Sequence, residues 1–212
     1  MTALPRDRLR HVYWIGGGSG AGKSTIAHRL AARHGMTVYA TDDVMADHAR
    51  RSTPETAPEL CRFLGMSMDE RWVTRTPEVM LETFHWFRGE AFDLVVEDLL
   101  RLPPGRGVVA EGFRLLPHLV EPLLTDPSQA IWLLPTPRFR WSALNSRGTS
   151  CDIPGRTSDP ERAQRNLLTR DRLFTDRLAA ETASRGLPAA TVDTATSEEE
   201  LLALVAERFG LA

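Results

Sequence analysis

Ten residues near the amino terminus, GGGSGAGKST at positions 16–25, constrain this chain more than any other feature. Within them, Gly17-x-x-x-x-Gly22-Lys23-Ser24 is a complete phosphate-binding loop pattern. Glycine lets backbone N–H groups turn inward around phosphate oxygens with no Cβ in the way. Gly17, Gly18, Ser19, Gly20, Ala21 and Gly22 are therefore the expected cradle. Lys23 is expected to reach the β- and γ-phosphates of ATP as a compact point charge. Ser24 is expected to offer its hydroxyl to Mg2+, with Thr25 beside it at the start of a helix whose dipole faces the same anion. The flanks suit this reading. Val12–Ile15 is a short apolar, strand-like run; Ile26, Ala27, Leu30, Ala31 and His34 follow helical spacing, and Gly35 supplies a stop.

Lys23 is also the only lysine among the 26 lysines and arginines of the chain. An arginine-biased coding preference accounts for the arginines. A role that a planar guanidinium cannot perform accounts for the lysine. The two readings are compatible.

The 212 residues suit one α/β domain, and the net charge of −2 gives no general attraction to nucleic acid or an acidic membrane surface. No apolar run approaches the roughly 20 residues of a membrane span. Cys61 and Cys151 lie far apart, outside any C-x-x-C pattern, and are expected to be free thiols in a reducing, cytoplasmic compartment. The expected partner is a small-molecule acceptor, with neither nucleic acid nor membrane, and the chain a monomer or homodimer.

Further elements follow from periodicity. Residues 36–40 read as a second strand, and 44–75 as short helices or loops broken by Pro54 and Pro58. Residues 77–101 read as one long helix, capped by Thr76, with Met80, Phe84, Phe87, Ala91, Val95 and Leu99 in a stripe. Strands are expected at 107–110, 130–134 and 189–193, and helices at 138–145, 160–184 and 197–209. Residues 146–160, rich in Gly, Ser, Thr and Pro, read as a mobile loop. Strands alternating with helices argue for a parallel sheet covered on both faces.

In such a sheet, ligands sit beyond the carboxyl ends of the strands. Asp42 and Asp43 follow the second strand and Glu111 the third. These carboxylates can hold Mg2+ or accept the proton of an attacking hydroxyl. Asp42 is the metal candidate beside Ser24, and either aspartate of the pair is the base; a helix cap is the bland alternative. Most arginines of 138–177 are expected to form a solvated face. Arg147 and Arg156 differ, because they fall in the loop and could swing onto phosphate. Trp86, off the apolar stripe, is a candidate for lining an acceptor pocket.

With these residues in view, the sequence resembles the P-loop kinases of nucleotides and small metabolites, such as adenylate, shikimate and gluconate kinases and chloramphenicol phosphotransferase. GGGSGAGKST matches their phosphate loop. TDD resembles the catalytic aspartate position, VVAEG the third-strand acidic position, PTPRFRWSALNSRG the helix and arginine that open the lid, and VDTATSEEE the last strand and adenine-flanking loop. The resemblance implies a P-loop NTPase fold with a five-stranded parallel sheet in the order 2-3-1-4-5 and helices on both faces. It also implies ATP as donor and a small lid at about 146–160 that closes. Residues 44–105 fill the place of the acceptor-binding region, within a single domain spanning 1–212, and carry no motif naming the acceptor.

Four rival functions compete with this reading. A GTPase reads guanine through Asn-Lys-x-Asp, which cannot occur here because the only lysine, Lys23, sits in the phosphate loop. Motor and transporter ATPases carry an apolar strand ending in Asp-Glu, which is missing here. A nucleotide-binding regulator, and a kinase of nucleic acid or of a cell-wall precursor, remain as alternatives.

Overall fold

A computed structural model of the protein describes residues 5–103, 105–146 and 153–211. Five strands form one parallel sheet in the order β2-β3-β1-β4-β5. They are β1 (Val12–Gly17), β2 (Thr37–Ala40), β3 (Val108–Glu111), β4 (Ala130–Pro135) and β5 (Ala189–Val192). The expected order and the helices on both faces are what is found.

The central strands owe their position to apolar residues on both faces. Along β1 and β4, Trp14 and Trp132 point to one side and Ile15, Ile131 and Leu133 to the other; all five are at most 2% exposed. A strand buried on both faces reads as a continuous apolar run rather than an alternation. On one side, the helices Lys23–His34 and Glu198–Arg208 supply Ile26, Leu30, Leu202 and Val205. On the other lie Phe92–Arg101 and the long helix Pro160–Arg185, with Val95, Leu99, Phe174 and Leu178. Burying one such side chain contributes about 1.5–3 kcal/mol.

The single helix expected over 77–101 is two. Pro77–Thr83 starts as expected, with Thr76 accepting from the Val79 N–H. A 3-10 turn, His85–Arg88, follows, and Gly89 and Ala91 both take the left-handed conformation (φ 81° and 56°) before Phe92–Arg101 begins. The break serves neighbouring elements. Between the two left-handed residues, the Glu90 carboxylate accepts from the Glu59 and Leu60 N–H groups that open the helix Pro58–Gly65. The Ala91 carbonyl accepts from Arg114. The apolar stripe was nonetheless a true sign of burial: Met80, Phe84, Phe87, Ala91, Val95 and Leu99 are all buried.

Residues 44–75 form short helices, Met45–Arg51 and Pro58–Gly65, and a π turn, Glu70–Thr74. The first is clamped to Phe92–Arg101 by Asp98, which accepts from Tyr39 (3.0 Å) and Arg51 (3.1 Å) and pairs with the fully buried His48 (2.8 Å). Of the expected lid, 147–152 lies outside the described residues. Pro154–Arg156 is a 3-10 turn, and beyond it the Ser158 N–H donates to Asp69 at 2.8 Å. No helix among the described residues is long and apolar enough to cross a membrane.

Candidate active site

The phosphate loop leaves the end of β1 and enters the helix Lys23–His34 through Gly22, which caps it in a left-handed conformation (φ 80°). Two glycines are required by close approach. A Cβ on Gly17, whose φ is 127°, would lie 2.1 Å from the Leu133 carbonyl oxygen. One on Gly18 would lie 2.6 Å from Thr175 Oγ1 and 2.9 Å from Pro135 Cδ. The loop is thus wedged between β4 and the long helix.

Lys23 is 8% exposed, and its Nζ donates to the Gly18 carbonyl at 2.8 Å, folded back over the loop. Ser24 Oγ donates to Glu111 Oε1 at 2.9 Å. Parallel pairing of β1 with β3 puts Ile15 beside Glu111, and pairing of β2 with β3 puts Ala40 beside it. The Thr41 N–H donates to the Glu111 carbonyl at 2.9 Å. In this register, the strand ends converge. Ser19 to Ser24, Asp42, Glu111 and Phe113 line one cavity of about 220 Å3.

The carboxylates feel that setting. Burial raises the Glu111 pKa above the ordinary carboxylate value, opposed by Lys23 and the Ser24 hydrogen bond and reinforced by Asp42. Asp42 opens onto the cleft, yet the protein mass around it raises its pKa too, with Lys23 and Arg114 pulling the other way and Asp43 adding to the rise. Asp43 does not line the cavity. Neither aspartate caps the following helix through its side chain: the cap is Val44, with no side-chain hydrogen bond.

A second cavity, of about 360 Å3, opens on the far side of the loop. Gly20, Gly22, Thr25, Ile26, Phe139, Ser142, Thr196, Ser197, Glu198 and Leu201 line it. Part of the stretch VDTATSEEE, which resembles the last strand and an adenine-flanking loop, thus shares a cavity with the phosphate loop. Phe139 carried no such signal in the sequence.

The arginines divide differently from the expectation. Arg147 lies outside the described residues, and Arg156 is exposed on its turn. Arg140 and Arg170, counted with the solvated face, are instead buried at 2% and 7%. Arg140 Nε donates to the Ser19 carbonyl at 3.3 Å, and Arg140 Nη2 donates to Thr175. Burial lowers its pKa, partly offset by Asp171 and Asp176. Arg114, not singled out in the sequence, is 2% exposed and stacks on Trp86, its Cζ 4.0 Å from a ring centroid. It donates to the Ala91 carbonyl at 3.1 Å and reaches the Thr41 carbonyl at 3.5 Å. Burial pushes its pKa down to about 10, against the pull of Tyr39, Asp42, Asp98 and Asp93. Trp86 is itself buried under this cation and does not line the phosphate cavity.

Comparison with known proteins adds the fold. No family model matches the chain, and no curated protein matches it. Among solved structures, it is similar to deoxyadenosine kinase from M. mycoides with bound dATP, at 12% identity and a TM-score of 0.50, over 94% of this chain and 99% of that one. It is also similar to a gluconokinase from Sinorhizobium meliloti 1021 (16% identity, TM-score 0.44, 94% and 90% covered). A third is an uncharacterized protein from Eubacterium ventriosum ATCC 27560 (12%, 0.46, 96% and 99%). At these identities the likeness is one of fold, and the fold is that of the P-loop kinases.

Proposed function

We propose that this protein is a kinase that moves the γ-phosphoryl group of MgATP to a hydroxyl of a small molecule. One observation carries the reading: a loop built to hold phosphate opens into a cavity that also holds Lys23, Ser24, Asp42 and Glu111. A regulator that only binds nucleotide has no use for a second, exposed carboxylate facing that loop.

The residues fit a magnesium ion bound together with nucleotide phosphates. The Ser24 hydroxyl and the Glu111 and Asp42 carboxylates are hard oxygen donors, few in number, and Mg2+ keeps several waters. The charge of Glu111 is buried and only partly offset, as its raised pKa records, so a divalent cation suits it. When bound, the ion would neutralise charge on the transferring phosphate.

The chain's own groups supply the rest. Backbone N–H groups of residues 17–24 receive the phosphate oxygens. Lys23 exchanges the Gly18 carbonyl for the β- and γ-phosphates. Asp42 accepts the hydrogen bond of the acceptor hydroxyl and takes its proton as the oxygen attacks phosphorus. Arg140, held between Ser19 and Thr175, keeps the loop in shape for this contact. The cavity beside Phe139 and Leu201 takes the nucleotide base. Arg147 and Arg156 fall within residues 146–160, where in sequence a closing lid would carry them to the phosphates.

The deciding experiment is ADP release from ATP over a panel of hydroxylated acceptors, with Asp42→Asn and Lys23→Ala as controls. Acceptor-stimulated ADP release that both variants lose supports the reading. Tight MgATP binding with no stimulated turnover by any hydroxyl compound would favour the regulator.

A further inference from the structure

A third cavity, of about 460 Å3, opens at the amino ends of β1 and β3, the end of the sheet away from the phosphate loop. It is larger than either cavity at the loop and shares no residue with them. β1 is six residues long, so about 20 Å of strand lies between the two ends. Leu99, Leu100 and Leu102 give the cavity its apolar wall. Arg8, Arg10, His11 and Arg106 give it a basic one.

The sheet brings these residues together. Val12 pairs with Val108, so His11 and Gly107 enter the sheet side by side, and the Val108 N–H donates to the His11 carbonyl at 3.0 Å. Gln129 Nε2 donates to the Arg10 carbonyl at 2.8 Å and fixes the backbone there. The leucines come from the end of the helix Phe92–Arg101, where Arg8 Nη2 donates to the Leu100 carbonyl at 3.2 Å.

The cations of this wall are short of anions. Elsewhere arginines are matched: Arg51 and Arg101 both pair with Glu97 and Asp98, and Arg185 pairs with Glu121 and Glu181. Here the one carboxylate on the wall, Asp7, pairs at 3.9 Å with Arg6, which is not part of it. Arg10 and Arg106 make no side-chain hydrogen bond or ion pair among the described residues. His11 Nε2 is enclosed and likewise without a partner among them. A lone surface arginine is satisfied by water. Three around one concave, partly apolar space focus a positive potential into it.

We infer that this cavity is a second ligand site, taking an organic phosphate whose oxygens meet Arg10 and Arg106 and whose apolar body lies against the leucine wall. Guanidinium groups match phosphate oxygens two at a time, and several cations together favour a dianion over a single carboxylate. The volume falls within the range of small-molecule sites, and an apolar lining with a few charged groups is their usual make-up. The site stands apart from the kinase reading and does not depend on it.

Calorimetric titration of the whole protein with phenyl phosphate tests this, in saturating MgADP so that the phosphate loop is occupied. Phenol is the neutral counterpart, and inorganic phosphate the one without an apolar body. Phenyl phosphate should bind at least tenfold tighter than either. Arg10→Met and Arg106→Met should each weaken it at least threefold, and together at least tenfold, with MgADP affinity unchanged. Both side chains belong to exposed residues, so their loss spares the core. Arg138→Met, exposed on another helix, should change nothing. No binding to the wild type, phenol or inorganic phosphate binding as tightly, or an affinity that the double variant keeps overturns the inference. Failure to bind MgADP would instead count against the kinase reading. The arginine variants, titrated without nucleotide, would then still decide the second site.

Discussion

Ser24 Oγ and Glu111 Oε1 lie 2.9 Å apart, joining the phosphate loop to the end of β3 across 87 residues of sequence. The hydroxyl expected to face magnesium is thus held by a carboxylate buried to 3% exposure. Glu111→Gln keeps the shape and removes the charge. We expect the Mg2+ requirement for turnover to rise about 10–100-fold, the usual cost of losing such a supporting partner. Because burial raises the Glu111 pKa, its ionised form opposes folding at neutral pH. The stability lost as pH rises through that raised value should be regained by the variant. A Tm series over pH without ligand measures this, and a wild type more stable than the variant at neutral pH contradicts it.

Asp42 and Asp43 separate by the same logic. Asp42→Asn should lower turnover by about 10²–10⁴ with ATP binding nearly intact. Asp43→Asn, at a residue outside the cavity, should change turnover little. The raised pKa of Asp42 also places the acid limb of the kcat profile above the ordinary carboxylate value of about 3.9. A pH–rate profile checks the limb, and equal losses in the two variants would remove the assignment.

Arg140 gives a structural prediction. Arg140→Met strips the Ser19 carbonyl and Thr175 of a charged donor, at a cost of about 1–3 kcal/mol. ATP affinity should fall with it, since the loop loses its brace. Arg138→Met, two residues away on the exposed face, is the matched control. Urea unfolding and calorimetry on both variants decide it.

The Asp98 clamp predicts an acid-dependent cost. Burial would raise the Asp98 pKa, but hydrogen bonds from His48, Tyr39 and Arg51 outweigh it and hold the carboxyl below its usual value. That contribution is present above the ordinary pKa and lost as pH falls through the lowered one. Asp98→Asn should therefore cost about 1–3 kcal/mol at pH 7, and the gap to wild type should shrink toward pH 3. Denaturant unfolding at several pH values measures it; a gap that does not change with pH refutes the charge-based account.

Much of this could be read before any coordinates, and the limits have physical causes. Apolar runs and glycine punctuation act locally, so all five strands, the loop and most helix boundaries were legible. That Asp42 and Glu111 stand beside the phosphate loop was legible because a strand end is a position the sequence marks. The break at Gly89 and Ala91 was not marked. Its cause is the service of Glu90 and the Ala91 carbonyl to distant partners, while the apolar spacing runs straight through it. Arg114, Arg140 and Arg170 were missed or placed on the surface for a related reason. An arginine is polar by default, and nothing local says that Trp86, Ser19 or three aromatic rings will meet it.

The 26-residue helix Pro160–Arg185 joins the aromatic cluster of residues 72–87 to the phosphate loop. Near its start, Asn166 donates to the Trp72 and Val73 carbonyls; at its middle, Arg170 lies over the Trp72, Phe84 and Phe87 rings; Thr175 then abuts Gly18. On the kinase reading, a ligand that displaced this helix would also displace its contact with the loop. Thermodynamic reciprocity would make that coupling mutual: whatever factor the ligand applied to ATP affinity, ATP would apply to the ligand.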